Sequence, residues 1–491
     1  MKGINRRQFI QYGMGGVAAL VVGSDILFRP TAHAQVVQNL NFTITDAIKE
    51  MVTHNQVNTA ECYFWIYKEA TLPPESPGPH LFVYQGDTVG LSVTNGLDEP
   101  HAWSVPDLGF TTGPIAPGET WSGTFTPAIS GAFLYYDDLN APVNRMMGLH
   151  GALVVIPQAG VPDHNPTPYE LPTPGVQKLF DDFGSTSHFP GLAWHEGDAL
   201  TPAFRRFIWV THEASPKLFA EVGEYPAGLD YPAAQFMQYF LRDPFQIHAY
   251  HTDNPGGNRV PQYFTINGQS GHFAHNSPYV TPMIRVGEPI VIHILNAGLW
   301  THSMHLHANH FYVTSVNGAP SENPIWVDVY NVEPMDRIDY TVPCMRPPDI
   351  PNVGGIGYPV TPQTSVNGTP TWPPVEEFNR YHPGIGQIIA KDMHGNDIDL
   401  AERQSPLCYP MHDHSEPSQT AQGGNYNCGL ISGIYFVGDR NTPGWHDFPL
   451  DHEFEMMLKA RGTHVYGCSE YSDSGKGEPA PPVMEEEMIM E

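Results

Sequence analysis

VYQGDTVGLSVTN, residues 83–95, and IRVGEPIVIHILN, residues 284–296, share one design: a turn containing Gly, a strand, then Asn. The two copies lie about 200 residues apart, which reads as an internal repeat of one β-domain. Working outward from the first copy, Leu81–Tyr84, Val89–Val93, Thr120–Phe125, Ala132–Tyr136 and Ala152–Ile156 are short strand-like runs separated by Gly or Pro. That spacing is the mark of a β-sandwich or barrel. Around the second copy the runs are Phe207–Val210, Tyr263–Ile266, Ile290–Leu295, Met304–Val313, Trp326–Val329 and Arg337–Val342. A Pro-rich insertion over about 345–385 follows, then Gly386–Lys391 and Gly433–Val437. The fold is therefore expected to be all-β, with domain 1 over 35–160 and domain 2 over 205–445. Residues 161–204 are rich in Pro, Gly, Asp and His and read equally as a linker or as a loop that decorates the fold. Pro232–Leu241 is expected as one short helix. The tail 446–491 is acidic, ends in MEEEMIME and carries no pattern of burial.

Composition narrows the function classes. The 491 residues include 47 Gly and 49 Pro, with 41% apolar residues, enough for sizeable cores. Asp and Glu number 52 against 23 Lys and Arg, a formal charge of −29. Phosphate binding needs a basic face, so nucleic acid and anionic membrane surfaces are excluded as partners. Cations fit that charge. The 25 His outnumber the basic residues, and imidazole is the commonest metal-binding side chain.

The first 34 residues read as an export signal. Arg6-Arg7 precede Gln8-Phe9-Ile10, the weakly apolar stretch Gly13–Val22 and a small-residue cleavage site at Ala32-His33-Ala34. This resembles a twin-arginine signal and places the mature chain in the periplasm or outside the cell. An uncleaved anchor is the competing reading, against which Gln11, four Gly and Ser24-Asp25 interrupt the stretch. No later stretch is apolar for the length of a span, so the mature chain is expected to have none. The five cysteines are Cys62, Cys344, Cys408, Cys428 and Cys468. None forms a CxxC pair, which argues against a Cys-based zinc site, and Cys408 and Cys428 flank a loop and could bridge.

The strongest chemical signal is His302-Ser-Met-His305-Leu-His307-Ala-Asn-His310, with His412-Asp413-His414 far downstream. Residues two apart on a strand share a face. Each pair, His305/His307 and His412/His414, therefore presents two imidazoles to one side. If the two strands are neighbours, four imidazoles converge at a distance suited to sharing a metal.

HSMHLHANHFYVTSVNG (302–318) resembles the His-Pro-x-His-Leu-His-Gly-His segment of multicopper oxidases. PGPHLFVYQGDTVGLSVTN (77–95), FTINGQSG (264–271) and WVDVYNVEP (326–334) are similar to other segments of that family, and MHDH (411–414) stands where the family has His-Cys-His. The resemblance covers most of residues 75–440. It implies two cupredoxin-like Greek-key β-sandwiches with long loops, as in two-domain laccases and copper nitrite reductases. It implies copper as the cofactor, with zinc an alternative for a four-His site. By the resemblance, His305, His307, His412 and His414 would hold half of a copper cluster. His101, in EPHAWSVP, would be a fifth surviving metal ligand, and His302 would point into the neighbouring type 1 copper cavity. Two-domain relatives are often trimers with metal sites between subunits, which leaves open a homo-oligomer in which His101 serves a neighbouring chain.

The departures from the family pattern bear on the chemistry. Asp413 occupies the type 1 Cys position, and a carboxylate cannot form the copper–thiolate bond of a blue centre. Residues 415–440 contain no His. In domain 1, FLYYDDLN shows Tyr136-Asp137 where the family has its ligands. Asp413 must point opposite to His412 and His414. There it either pairs with His302 in a buried hydrogen bond or helps form a second, non-blue metal site. His248/His251, His272/His275 and the tail methionines Met484, Met488 and Met490 are weaker candidates, each read more simply as a turn, loop or solvated tail. Two functions follow. One is a copper oxidoreductase acting on a small molecule or metal ion. The other is a non-catalytic cupredoxin protein that binds or stores copper or serves as a structural subunit.

Overall fold

The computed structural model describes residues 25–26, 38–52, 59–157, 167–183, 204–241, 259–275, 277, 280–285, 289–307, 309–344, 389–391, 397–399, 407–419 and 428–438. The export signal apart from residues 25–26, the tail over 446–491, the His248/His251 pair and the three tail methionines lie outside them.

In domain 1 the strands are β1 (Gln38–Val52), β2 (Thr59–Glu69), β3 (His80–Tyr84), β4 (Val89–Asn95), β5 (Ser104–Val105), β6 (Phe110–Thr111), β7 (Thr120–Phe125), β8 (Gly131–Tyr136) and β9 (His150–Ile156), with a helical turn α1 (Val143–Met146) between the last two. They form two sheets, ordered β2-β1-β4-β7 and β3-β9-β8-β5-β6. Val89, Leu91 and Val93 of β4 are buried and alternate with Ser92 and Thr94, the period-2 pattern of a strand with one face on a core. An aromatic group of Phe42, Tyr67, Trp103 and Tyr135 fills the space between the sheets.

Domain 2 repeats the plan. After helix α2 (Pro174–Phe183) come β10 (Arg205–Ala214), α3 (Pro216–Gly223), α4 (Ala233–Phe240), β11 (Tyr263–Ile266), α5 (Gly271–His275), β12 (Met283–Arg285), β13 (Ile290–Asn296), β14 (His302–Leu306), β15 (Phe311–Val316), β16 (Ala319–Val327), β17 (Val329–Val332), β18 (Arg337–Val342), β19 (Leu407–Asp413), α6 (Glu416–Gln419) and β20 (Ile431–Gly438). The sheets run β11-β10-β13-β18-β15-β16 and β12-β20-β19-β14-β17. The parallel pair β1/β4 corresponds to β10/β13, and the parallel pair β3/β9 to β12/β20. The chain is all-β and cupredoxin-like, with the same sandwich built twice.

The Asn that closes each repeated segment has the same work in both. Asn95 donates to the Glu99 and Ile115 carbonyls and accepts from the Leu97 N–H. Asn296 donates to the Trp300 and Val332 carbonyls and accepts from the Gly298 N–H. A buried amide at a strand end is tolerated because its donors and acceptor are used on the turning backbone.

Two sequence expectations change. Met304–Val313, read as one strand, is two: the chain leaves one sheet after Leu306 and enters the other at Phe311. Buried Asn309 supports the crossing by donating to the His307 carbonyl. Residues 174–183 form a helix whose Val176, Leu179, Phe180 and Phe183 are buried, and Thr173 and Gly175 lie against Ser321 and Glu322 of β16. Cys428 is buried, and burial pushes its thiol pKa up to about 12.

The domains meet along an apolar seam. Ala132, Leu134, Ala152 and Val154 face Ile208, Val210, Leu295 and Ala297. At one end of that seam two fully buried imidazoles, His150 and His212, lie with ring centroids 4.5 Å apart. Nδ1–H of His150 donates to the Arg145 carbonyl and Nε2–H of His212 to the Met146 carbonyl. Burial lowers the pKa of both, that of His150 from 6.5 to about 4. The unfolded chain takes up these protons below pH 6.5 while the native state refuses them. Stability is therefore present above that pH and is lost as pH falls towards about 4. A shift of this size for one group corresponds to about 3 kcal/mol. The thermal midpoint of the metal-free protein is expected to fall between pH 7 and 4.5, and His150→Gln to flatten the curve. A midpoint independent of pH in both proteins contradicts this assignment.

Candidate metal centre

Strands β14 and β19 run antiparallel with Met304 opposite Asp413, His305 opposite His412 and Leu306 opposite Met411. The ladder continues through the His414 N–H to the Ser303 carbonyl and the His307 N–H to the Pro410 carbonyl. Burial alternates along both strands. Met304, Leu306 and Met411 go into the apolar core, and that places His305, His307, His412 and His414 together on the opposite face. Ring centroids are 4.9 Å apart for His305–His307, 5.4 Å for His305–His412, 4.7 Å for His305–His414, 4.9 Å for His307–His412 and 5.1 Å for His412–His414.

The donor atoms converge as well. Nε2 of His307 and Nε2 of His412 are 2.8 Å apart, the separation of two adjacent ligands on one ion with bonds of about 2.0 Å. One nitrogen from each of His305, His412 and His414 lies within 4.8 Å of the other two. Nδ1–H of His305 donates to the Asp328 carbonyl at 2.9 Å, with the Asp328 carboxylate 3.8 Å away. Nδ1–H of His412 donates to the Asp413 carbonyl at 3.1 Å. These bonds select the tautomer whose Nε2 lone pair faces the group. Burial, then repulsion from neighbouring imidazoles, lowers the pKa of His307 to about 4. The pKa values of His305 and His412 also lie below the ordinary value, with burial the main cause. Neutral imidazoles are the form a metal requires, and the His307 Nε2–H that donates to His412 Nε2 would give way to a metal held by both.

His302 and His101 are not part of this group. His302 is fully buried on the other face of β14. Its Nδ1 meets Asp413 Oδ2 at 2.7 Å and its Nε2 meets Glu213 Oε1 at 3.0 Å. Burial pulls its pKa down, but the hydrogen bonds to the two carboxylates outweigh this and raise it to about 9. The same pairing holds the Asp413 carboxyl below its ordinary value against the effect of burial. The Asp413–His302 hydrogen bond expected from the sequence is therefore present as a buried ion pair, and Glu213 is a partner that sequence reasoning missed. Nothing in FIWVTHEA (207–214) marks Glu213, because its partners, His302 and the Leu299 N–H, come from a segment about 90 residues away. Asp328 was missed likewise, although it lies within the WVDVYNVEP segment.

His101 sits in domain 1 at the position equivalent to His302. Its Nδ1 meets Asp137 Oδ2 at 2.7 Å, and Ser104 of β5 pairs with Tyr136 of β8 as His305 pairs with His412. Ser104, Pro106, Tyr136 and Asp138 thus occupy the places that the four histidines fill in domain 2. Nδ1 of His275 meets the Ser432 carbonyl at 2.9 Å, which fixes that ring beside β20.

Residues 68–160 and residues 244–342 each match a family model described as multicopper oxidase. Both matched segments, one in each domain, carry the multicopper oxidase pattern. Among solved structures it is similar to a blue copper oxidase from Nitrosomonas europaea, at 17% identity and TM-score 0.48, over 86% of this chain and 95% of that one. It is also similar to a copper nitrite reductase from the same organism, at 15% identity and TM-score 0.42, over 82% and 93% of the two chains. No curated protein matches it. A multicopper oxidase is expected to hold copper, and the donor set here suits it: imidazole is a good copper ligand, and at equal geometry Cu²⁺ binds more tightly than Zn²⁺. No helix among the described residues is long and apolar enough to cross a membrane.

Proposed function

We propose that this multicopper oxidase relative is an exported copper protein whose His305, His307, His412 and His414 hold copper, without a blue centre, and support oxidoreduction of a small molecule or a metal ion. The observation that carries the reading is the convergence of four imidazoles across one strand pair, with two Nε2 atoms 2.8 Å apart. Copper bound there would supply one-electron redox chemistry. The chain's own residues keep the lone pairs aimed, through Asp328 and the Asp413 carbonyl, and leave the group half-buried on an outer sheet face where a small substrate can reach it. In the proposed organisation, a signal over 1–34 precedes domain 1 (35–160), an excursion over 161–204, domain 2 (205–445) with the copper site, and an acidic tail (446–491).

A second reading, copper binding or storage without turnover, is favoured by one observation. Domain 1 offers Ser104, Pro106, Tyr136 and Asp138 at the equivalent positions, so this chain supplies one four-His half and no thiolate relay.

Cell fractionation followed by metal analysis and absorption spectroscopy of the purified protein tests the proposal. The expected result is an exported protein that carries copper and lacks the intense band near about 600 nm, because Asp137 and Asp413 cannot supply thiolate-to-copper charge transfer. Zinc alone in the purified protein, or a strong blue band on copper loading, contradicts it. Copper content without oxidase activity on any small reductant favours the second reading.

A further inference from the structure

Side-chain alternation along β14 and β19 decides which face each residue takes, but it leaves the register open. A slip of one residue would bury the histidines and is forbidden by the apolar face. A slip of two keeps every face correct while setting His305 against His414 or Pro410 instead of His412. A further contact must choose among these registers, and the structure provides one in the residue between the two downstream histidines.

We propose that Asp413 is a positioning residue whose carboxylate, backed by His302 and Glu213, fixes β14 against β19 in the register that makes the four imidazoles converge, before any metal is bound. The proposal rests on the reading of those imidazoles as a copper site. Asp413 Oδ1 accepts the Ser303 N–H at 2.7 Å and the Ser415 N–H at 2.8 Å. Oδ2 accepts from His302 Nδ1–H at 2.7 Å and from the Ser418 hydroxyl. One side chain thereby grips the backbone of both strands next to the ligand positions: Ser303 is two residues from His305, and Ser415 follows His414. Behind it, His302 is held from the other side by Glu213, whose carboxylate accepts the Leu299 N–H at 2.9 Å. Asp413, His302 and Glu213 are fully buried, so water does not compete for the bonds among them.

Domain 1 carries the same clamp without the four histidines. Asp137 is bonded to His101 Nδ1 at 2.7 Å, to the Leu139 N–H at 2.9 Å and to the Ala102 backbone. Ala102 and Leu139 are the counterparts of Ser303 and Ser415. The device therefore belongs to the strand pair and requires no metal. In domain 2 it lies directly beneath the ligands, and domain 1 supplies an internal control for stability effects unconnected with copper.

The test uses the full-length protein, titrated with Cu²⁺ alone and followed by EPR. Asp413→Ala is expected to weaken copper binding about 10- to 100-fold and to alter the copper hyperfine pattern, the size typical of losing a group that orients metal ligands. Asp413→Asn keeps an oxygen for the Ser303 and Ser415 N–H groups and is expected to lose less than about 10-fold. Asp137→Ala is expected to lower the thermal midpoint but to leave the copper Kd within about twofold, since distant sites act independently. An Asp413→Ala protein with the wild-type Kd and spectrum overturns the proposal, as does an Asp137→Ala protein that loses copper equally. If Asp413→Ala does not fold, amide exchange on metal-free Asp413→Asn decides. Faster exchange at Ser303 and His414, with the β13–β18 amides unchanged, supports the clamp; unchanged exchange at Ser303 and His414 refutes it. A wild type that takes up no copper overturns the metal reading instead, and the exchange measurement then decides the register claim alone.

Discussion

Alanine at His305 or at His412 is expected to lower copper affinity by at least about 100-fold, because loss of even an indirect partner of a metal ligand costs 10- to 100-fold. The two residues face each other in the ladder, and each lone pair is aimed by a Nδ1–H bond to a carbonyl. Removal of either imidazole leaves the other three unable to complete the same ligand set. The double variant should therefore lose less than the sum of the two single losses, since residues sharing one ligand set do not act independently. His307→Ala and His414→Ala should behave alike, given ring separations of 4.7 to 5.1 Å to their neighbours. His101→Ala provides the contrast. That imidazole is bonded to Asp137 in the other domain, so its loss should reduce stability and leave copper per folded molecule unchanged. Copper titration of the six proteins is the measurement. Full copper content in all four single variants would remove the site and leave the fold alone.

Glu213→Ala is expected to be the most damaging single change to the folded state. His302 is fully buried between two carboxylates, and burial would make it neutral without them. Removing one partner from a buried charged network costs about 3–5 kcal/mol, because the remaining charges are left uncompensated. Glu213→Gln preserves shape and should cost less, since its amide oxygen can still accept from the Leu299 N–H. The surroundings of Glu213 are equally unforgiving. A Cβ added at Gly298 would stand 2.2 Å from Glu213 Oε1 and 2.3 Å from Oε2, and a carboxylate bonded on both oxygens has no room to move. Gly298→Ala should therefore also lower the thermal midpoint. Denaturant unfolding of the three variants checks the order. A Glu213→Ala protein as stable as the wild type would show that His302 is neutral and the network dispensable.

The apolar alternation of Val89, Leu91 and Val93, repeated about 200 residues later, made the all-β class and the doubled domain legible, because a period of two is a local property of the backbone. The faces of the histidine pairs were legible for the same reason. Local pattern could not show where a strand changes sheets. Met304–Val313 reads as one run, yet Leu306 ends a strand of one sheet and Phe311 begins a strand of the other, a step set by the packing of two layers. The partnership of His305 with His412 joins residues about 100 positions apart. It was visible through the family resemblance and not through spacing. The resemblance also grouped His101 and His302 with the metal ligands. The tertiary structure assigns each to a buried carboxylate instead, since the strand that sends His305 and His307 outward must send His302 inward. Sequence alone thus determined which side chains share a face. Only the assembled sheets decided which faces meet, which register they keep and which carboxylates close on the buried imidazoles, because those choices depend on distances between segments that no local period encodes.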